Sequence, residues 1–143
     1  MMEKAQTLIK QLGLIEHPEG GYYKETYRSE LALELNGFSG KRSIGTSIFF
    51  MMLGGQATLP HRIKSDEIWF FHDGDPCEII EVNDDGIEEV TILGNDFAKG
   101  QVYQHVVKAG RWFYSRVSKE HDFCLAACHV NPGFDFQDFE IKK

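Results

Sequence analysis

The feature that most constrains the fold is a change of pattern at residue 21, where short apolar runs begin to alternate with turn clusters. The runs are rich in Val, Ile, Phe, Tyr and Trp, and the segments between them include NGFSGK, DGDP, NDDG, KAG and SKEHD. Strands that recur about every 8–12 residues between such turns are typical of antiparallel sandwiches and barrels. The sequence therefore predicts an all-β fold over most of its length.

One helix is predicted before that point. The apolar residues that recur there at helical spacing are Ala5, Leu8, Ile9 and Leu12. Gly13 follows them at the place where a glycine commonly ends a helix. The chain has 143 residues and shows neither an internal repeat nor a linker, so we expect one domain, residues 1–143, with a short N-terminal helix.

Charge and composition exclude several classes of partner. The net charge is −7 and no basic run is longer than two residues, so a nucleic-acid partner is not expected. No apolar stretch approaches the roughly 20 residues of a membrane-spanning helix, and the charged start MMEKAQTLIKQLG is unlike a secretion signal. The cysteines, Cys77, Cys124 and Cys128, are interpreted as buried thiols in a reducing compartment. These features predict a soluble cytoplasmic protein without a membrane partner.

Strand alternation places two carboxylates on aromatic faces, because successive side chains of a strand point to opposite sides. In YYKETYR, Glu25 shares its face with Tyr23 and Tyr27. In DEIWFFH, Glu67 shares its face with Trp69. A third strand, SIGTSIFFMML, is apolar on both faces, which predicts a central strand with Ser47, Phe49 and Met51 on one side.

A buried carboxylate must be paired, hydrogen-bonded or protonated, since an isolated buried charge is very costly. Burial also raises the pKa of a carboxyl group toward values that suit acid or base catalysis. Glu25, Glu67 and the nearby His61 are therefore the candidate site. The alternative is that each carboxylate only anchors backbone or an arginine such as Arg62.

Residues 55–74, GQATLPHRIKSDEIWFFHDG, carry a recognisable spacing. Gly55, His61, Glu67 and Gly74 stand in the order G-x5-H-x-I-x3-E-x6-G. This resembles the first motif of metal-binding cupins, G-x5-H-x-H-x3-4-E-x6-G, except that Ile63 takes the place of the second histidine. The stretch GQVYQHVVKAGRWFYSRV resembles a degraded second cupin motif.

In that second motif a proline, a glycine and a histidine follow one another as P-x-G-x2-H. Gly110 matches the glycine, whereas Lys108 and Phe113 take the places of the proline and the histidine. Further blocks, HPEGGYYKETYRS, HRIKSDEIWFFHDGDP and NPGFDFQDFE, resemble the single-domain cupin-5 branch, whose function is unassigned. The resemblance implies a double-stranded β-helix (jelly-roll cupin barrel), a homodimer, and an architecture similar to that of the deoxysugar-nucleotide epimerases.

Three functions are compatible with these residues. The first is isomerase- or epimerase-like acid–base chemistry on a small molecule, such as a sugar or nucleotide-sugar, in the barrel pocket. His61, oriented by Glu67, would be the base and Tyr23 the proton donor. Other candidate donors are Tyr27, Tyr103 and Tyr114.

The second function is non-catalytic binding or sensing of a small ligand, because the mouth of a jelly roll is a ready cavity. The side chains expected to stack on the ligand or orient it are Tyr23, Glu25, Ser47, Phe49, Trp69 and Phe113. The third is a metal-dependent enzyme with an incomplete ligand set. His61 and Glu67 supply two donors for a divalent transition metal, which usually takes three or four. Candidates for a third donor are Glu25, His105 and His72. The leading expectation is that the protein uses no cofactor, and a divalent transition metal is the alternative.

The remaining predictions concern the two ends of the chain. PGFDFQDFE alternates Phe134 and Phe136 with Asp135 and Gln137, which is typical of an extended segment with one apolar face. It either completes the barrel or packs on a second subunit of a homodimer. His17 and Glu19 are expected in a loop, Glu19 at the rim of the cavity.

Overall fold

The structure, a computed structural model, describes residues 2–142, which form one α-helix and thirteen strands. The helix α1 spans Met2–Leu12. The strands are β1 (Ile15–Glu16), β2 (Tyr22–Arg28), β3 (Ala32–Glu34), β4 (Lys41–Ser43), β5 (Thr46–Leu53), β6 (His61–Arg62), β7 (Asp66–Gly74), β8 (Cys77–Val82), β9 (Glu88–Leu93), β10 (Gln104–Val107), β11 (Phe113–Arg116), β12 (Phe123–Asn131) and β13 (Glu140–Ile141). Short 3-10 helices span Phe97–Lys99 and Phe136–Asp138.

The strands form two facing antiparallel sheets and a separate hairpin. One sheet has six strands in the order β1-β2-β5-β12-β7-β10, and the other has five in the order β13-β6-β11-β8-β9. Strands β3 and β4 pair only with each other. This order confirms the predicted all-β jelly roll with a short N-terminal helix, because strands distant in sequence are neighbours in both sheets.

The main core lies between the two sheets. It includes Phe50, Trp69, Ile79, Phe113 and Cys128, each at most 2% exposed. The first three come from β5, β7 and β8, so both sheets contribute inward-facing side chains at alternate positions. This packed layer forms the base on which the polar residues of the cavity rest.

The helix covers the opposite face of the six-stranded sheet. Ala5 and Leu8 of α1 pack with Met51, Phe123 and Leu125 in a second apolar cluster. Strand β5 is therefore buried on both sides, as its two apolar faces predicted. The helix ends as expected: Gly13 has φ 68°, and the N–H of Leu14 donates to the carbonyl of Ile9 at 2.9 Å, which satisfies a terminal carbonyl.

The C-terminal segment, residues 131–142, completes the barrel, the first of the two predicted alternatives. Ile141 pairs with His61 at the edge of the five-stranded sheet. Asp138 forms a buried ion pair with Arg42, and the N–H of Phe134 donates to the hydroxyl of Thr46 at 2.9 Å. These contacts hold the segment across the sheets. Within residues 2–142 no helix has the length and apolarity to cross a membrane.

Candidate functional site

A cavity of about 400 Å³ lies between the sheets and is closed in part by the C-terminal segment. Four of the predicted site residues line it: Tyr23, Glu25, His61 and Glu67. The other polar side chains in its wall are His17, Glu19, Arg28, Thr46, Cys128 and Asp135. A cavity of this size is within the range used for small ligands.

His61 is held at both ring nitrogens. Its Nε2 lies 2.8 Å from a carboxylate oxygen of Glu19, and its Nδ1 lies 2.7 Å from the carbonyl oxygen of Leu59. A carbonyl only accepts, so Nδ1 donates, and Nε2 faces the carboxyl group of Glu19 as its second hydrogen-bond partner. Burial by itself lowers the pKa of His61, but these two bonds and the charges of Glu19 and Glu67 raise it above its ordinary value. The side chain is therefore an imidazolium paired with Glu19.

Glu19 is buried in the cavity, which corrects its expected place at the rim. A tight turn places it there: its own N–H donates to Nδ1 of His17 at 3.1 Å, and its carbonyl accepts from the N–H of Leu59 at 2.8 Å. Gly20, with φ 110°, passes so close that a Cβ would lie 2.9 Å from the carbonyl oxygen of Ala57. Glu19, and not Glu67, is therefore the carboxylate that hydrogen-bonds His61.

Glu67 is a second buried carboxyl in the same cavity, 9% exposed on strand β7. Burial and the negative charge of Glu19 raise the pKa of Glu67 to about 7, against the lowering effects of His61 and of the Cys128 thiol, which hydrogen-bonds the carboxyl. The thiol is buried too, and its pKa is raised well above its ordinary value by burial and by Glu67. Glu67 is thus a group that can gain or lose a proton near neutral pH.

His17 and Tyr23 form an aromatic wall beside these groups. Their ring centroids are 4.5 Å apart with an edge-on arrangement, and the His17 ring also lies 6.0 Å from Phe50. Burial lowers the pKa of His17 in spite of the opposing charge of Glu19, which agrees with its Nδ1 accepting a hydrogen bond. His17 is therefore neutral and closes one side of the cavity.

Glu25 and Arg28 form an ion pair at the outer part of the cavity, with an Nη2–Oε1 distance of 2.6 Å. Arg28 also donates to the carbonyl of Phe134 at 3.0 Å, which links β2 to the C-terminal segment. The expected shared aromatic face of Glu25 and Tyr27 does not form, because a β-bulge lies between these two residues. Tyr27 is 56% exposed.

Two residues expected to bind a ligand, Ser47 and Phe49, lie outside this cavity. Both are on the face of β5 opposite the cavity, where Phe49 packs with the helix cluster and Ser47 lies 2.9 Å from Nδ1 of His129. Their neighbours Thr46 and Ile48 line the cavity in their place. The predicted alternation of side chains along β5 is correct, but the residues chosen for the ligand lie on its helix-covered face and not on its cavity face.

Trp69 and Phe113 lie below the cavity and support it. Phe113 is directly opposite His61 on the neighbouring strand, and their ring centroids are 4.2 Å apart. Trp69 is 2% exposed and packs edge-on against Phe50 and Phe113. Its indole N–H is a buried donor without a hydrogen-bond partner among the described residues. Both rings contact the core, and Phe113 fixes the tilt of the imidazole.

Sequence reasoning missed the side chains that the C-terminal segment brings to the cavity. Phe134, Asp135, Phe136 and Phe139 line it, and only the alternation of PGFDFQDFE pointed to an apolar face there. Cys128 was also missed as a cavity residue. Its position on β12 beside β7 depends on a pairing between strands some 60 residues apart along the chain, which periodicity does not show.

The donor set does not fit a resident metal ion. Ile63 and Phe113 stand where the cupin motifs have ligands, and Ile63 lines the cavity with an apolar side chain. Both nitrogens of His61 are already hydrogen-bonded. Across residues 2–142, no three His, Cys, Asp or Glu side chains are arranged to hold a metal.

The two other histidines considered as third donors lie elsewhere. His72 contacts Phe49 on the helix-covered side of the sheet, with ring centroids 5.8 Å apart. His105 lies 2.6 Å from a carboxylate oxygen of Glu81, which also accepts from Arg111. Neither lines the cavity. Although Glu19, His61 and Glu67 share the cavity, the described residues are not arranged to supply the three or four donors that a divalent site usually takes.

The chain resembles several proteins over nearly its whole length. It is 31% identical to Uncharacterized protein YML079W of Saccharomyces cerevisiae, covering 96% of this chain and 75% of that protein. A hypothetical protein from Leishmania major has a TM-score of 0.90 and 32% identity over 97% of this chain and 87% of its own. Protein SO0799 from Shewanella oneidensis has a TM-score of 0.88 and 37% identity, and the match covers 97% of this chain and 84% of that protein.

A more distant likeness shows the fold alone. Oxalate decarboxylase from Bacillus subtilis has a TM-score of 0.62 at 13% identity, and the match covers 88% of this chain but 29% of that enzyme. The family described as Cupin superfamily (DUF985) matches residues 6–142, which include both motif segments and the C-terminal segment. The chain belongs to this family of the cupin superfamily.

Proposed function

We propose that this cupin acts on a small polar molecule in the cavity by isomerase- or epimerase-type proton transfer, with Glu67 exchanging the proton. The observation that carries the proposal is the buried carboxyl of Glu67 facing the cavity next to the His61–Glu19 ion pair. An isomerase needs a group that takes a proton from carbon and returns one, with a pKa near the working pH. Glu67 has such a pKa, because burial and the negative charge of Glu19 raise it to about 7.

His61 has a different part in this proposal from the base that the sequence suggested. Both of its nitrogens donate to acceptors, so it has no lone pair with which to accept a proton. It is instead a fixed positive charge beside the reacting group. Such a charge stabilises the negative oxygen that develops when a proton leaves the carbon next to a carbonyl. Glu19 keeps the imidazole charged and oriented.

Tyr23 is the proposed second proton-transfer group. It lines the cavity from β2, whereas Glu67 enters it from β7, and β5 and β12 separate these strands in the six-stranded sheet. Racemisation or epimerisation at one carbon requires donors on opposite sides of the substrate. A phenol and a carboxyl entering from separate strands are suited to that arrangement.

A sugar, or the sugar part of a nucleotide-sugar, is the proposed substrate class. The cavity combines hydrogen-bonding groups such as Glu25 and Thr46 with aromatic rings, which matches the alternating hydroxyl and C–H surfaces of a carbohydrate. The similarity to sugar-nucleotide epimerases that the cupin resemblance implies supports this class only by analogy.

Solvent deuterium exchange tests the proposal. The protein is incubated in D₂O with a panel of aldoses and ketoses, and deuterium at the carbon next to the carbonyl is followed by mass spectrometry. Exchange is expected in wild type, reduced by about 100-fold or more in Glu67→Gln. Glu140→Gln, which changes an exposed partner of Arg62, is the matched control and is expected to retain exchange.

The competing proposal is a non-catalytic binding or sensing module. It predicts that a sugar raises the melting temperature of the protein while no deuterium enters the sugar. That combination would overturn proton transfer and leave the cavity as a binding site. The metal-dependent alternative has less support, because Ile63 and Phe113 stand at ligand positions. Metal-dependent exchange abolished by a chelator would restore it.

We also propose that the protein is a cytoplasmic homodimer. The support is a group of large apolar side chains on the surface near strand β2 and the β3–β4 hairpin: Tyr27, Leu31 and Leu33, each more than half exposed. Exposed apolar groups next to a sheet edge are typical of protein interfaces. The cysteines, Cys77, Cys124 and Cys128, are free and buried, which agrees with a reducing compartment.

A further inference from the structure

The charges and rings of the cavity narrow the class of ligand; this step rests on the proposed function, which places the substrate there. The two cations in the wall are already paired. His61 is bound to Glu19 at 2.8 Å, and Arg28 is bound to Glu25 at 2.6 Å and to the carbonyl of Phe134 at 3.0 Å. An incoming phosphate or carboxylate would have to break one of these pairs.

Negative charge remains after those pairings. Asp135 lines the cavity, and hydrogen bonds from Gln137, together with the more distant positive charges of Arg42 and Arg28, lower its pKa, so it is ionised at neutral pH. Glu67 has no lysine or arginine among its described neighbours, which are Glu19, His61 and Cys128, and it adds a second negative charge as the pH rises above its pKa of about 7. The wall therefore carries a net negative charge, and the only remaining histidine in it, His17, is neutral.

Aromatic rings form the outer part of the same wall. The ring centroids of Phe134 and Phe136 are 4.8 Å apart, and Phe139 lies 6.1 and 5.9 Å from them. Phe136 is 49% exposed at the mouth, although a large apolar ring in an otherwise polar turn would normally be buried. Tyr23 completes the group. The faces of such rings attract cations.

We propose that the natural ligand carries an ammonium group, as an amino sugar or another small alkylammonium compound does, and that the phenylalanine group with Asp135 binds it. Three observations converge on this class: the paired state of both wall cations, the excess of carboxylates, and the exposed aromatic group at the mouth. The three rings contact one another edge-on, so an ammonium head would lie against the exposed ring of Phe136, with Asp135 in the same wall. The remainder of the molecule would extend toward Glu67.

Choline and its neutral isostere 3,3-dimethylbutan-1-ol are the probes. The two have nearly the same shape and differ by one positive charge, so comparing them isolates the electrostatic part of binding. Isothermal titration calorimetry on the full chain at pH 7.5 and low salt measures both, with glucosamine, glucose and glucose 6-phosphate as a second series. Choline is expected to bind about tenfold more tightly than the alcohol. Glucosamine is expected to bind more tightly than either other sugar.

Two leucine variants locate the binding. Phe136→Leu is expected to weaken the binding of choline by about tenfold, because it removes an aromatic ring from the proposed site. The ring is half exposed and contributes little to the core, so the variant should fold. Phe97→Leu is the matched control: Phe97 is 81% exposed in a surface 3-10 helix and lies outside the cavity. Its affinity for choline should equal that of wild type.

Equal affinities for choline and the alcohol, tightest binding by glucose 6-phosphate, or no binding of choline at about 10 mM would each overturn the ammonium ligand. Loss of choline binding in Phe97→Leu would overturn the location of the site at the phenylalanine group. Deuterium exchange tests the proposed function separately. Choline binding without exchange in any sugar would overturn only the isomerase, and exchange in a neutral sugar without choline binding would overturn only the ligand class.

Discussion

Glu67, His61 and Glu19 share one buried space, and their protonation states depend on one another. Burial lowers the pKa of His61, but the hydrogen bond and charge of Glu19 raise it above its ordinary value, and burial with the charge of Glu19 raises the pKa of Glu67 to about 7. Because Glu67 is partly protonated near neutral pH, this cluster carries less negative charge than two ionised carboxylates would give it. This is how acid–base groups are tuned in many active sites.

The pH dependence of stability should show this coupling. The pKa of Glu67 is about 7 in the fold against 4.5 in the unfolded chain. A raised pKa gives stability that is fully present below 4.5 and is lost as the pH rises to about 7. We expect wild type to lose up to about 3 kcal/mol of unfolding free energy over that range. Glu67→Gln should lose much less.

Urea denaturation at pH 4.5, 6 and 7.5 measures that difference. The pKa of His61 is also raised, so its contribution falls as the pH increases above 6.5 in both proteins, and the comparison removes most of it. Parallel stability curves for wild type and Glu67→Gln would contradict the buried, protonated state of this carboxyl.

Glu19→Gln should destabilise the fold much more than a matched surface change. It would leave the imidazolium of His61 buried without its anion, which typically costs about 3 kcal/mol or more. The control is Glu140→Gln, which breaks an exposed pair with Arg62 and should cost no more than about 1 kcal/mol. Chemical denaturation at pH 6 measures both. A cost for Glu19→Gln as small as that of the control would mean that His61 is neutral.

At the scale of elements, two motif glycines have different physical roles. Gly55 has φ 86° and Gly74 has φ 89°, and both conformations are strained for other residues. An added Cβ at Gly55 meets Lys119 only at 3.6 Å, whereas at Gly74 it would collide with the backbone oxygen of Phe123. Gly55→Ala should cost about 1–2 kcal/mol from backbone strain, and Gly74→Ala distinctly more.

Thermal and urea unfolding of the two alanine variants give this comparison directly. Similar losses at both positions would show that β12 moves away from Gly74 without penalty. The spacing between these glycines is therefore more than a family signature. It fixes the start and the end of the segment that presents His61 and Glu67.

The C-terminal segment should depend on one buried ion pair. Arg42 and Asp138 are 3% and 6% exposed at their side chains, and no other carboxylate that could replace Asp138 is hydrogen-bonded to Arg42 within residues 2–142. Asp138→Asn is expected to raise amide exchange across residues 134–141 by about tenfold or more. Glu78→Gln, which alters the exposed pair with Arg116, should leave it unchanged.

Hydrogen exchange with mass spectrometry resolves this segment from the rest of the chain. Unchanged protection in Asp138→Asn would mean that β13 pairing alone holds the segment. Since Phe134, Phe136 and Phe139 line the cavity, a loosened segment should also weaken choline binding.

At the scale of the molecule, the sequence predicted the architecture better than the cavity. Turn spacing and apolar runs recur along the chain, so the all-β fold followed from them, and the helix followed from the helical spacing of apolar residues near the N-terminus. The jelly roll followed from the resemblance of residues 55–74 to the first cupin motif. On β7 the alternation continues without interruption, and Glu67 shares a face with Trp69 as predicted. These features are local, and local patterns are what a single sequence shows.

The parts that could not be predicted depend on contacts between distant residues. A bulge after Glu25 turns Tyr27 outward, and neither face of the apolar strand β5 signals which side the helix covers. The turn that buries Glu19 is held by a hydrogen bond to Leu59, 40 residues away. No periodic pattern in a loop reports such a contact.

The mass of the protein in solution tests the proposed homodimer. Sedimentation equilibrium should give twice the chain mass of 16.4 kDa, and Leu33→Lys should shift the species toward monomer, because it places a charge among exposed apolar side chains. Val90→Lys, a comparably exposed apolar residue on β9, is the control. A monomeric wild type would contradict the dimer.

Much of the cavity wall comes from two segments far apart in the chain, residues 17–28 and 128–139, and the rest comes from Thr46, Ile48, His61, Ile63 and Glu67. A ligand that touches both is a reversible cross-link across more than a hundred residues, comparable to a disulfide that closes a long loop. Its binding energy would oppose separation of the two segments and would stabilise the folded state. Occupancy of the site would therefore act on the lifetime of the folded protein in the cell, and loss of the ligand would expose both ends to proteases together.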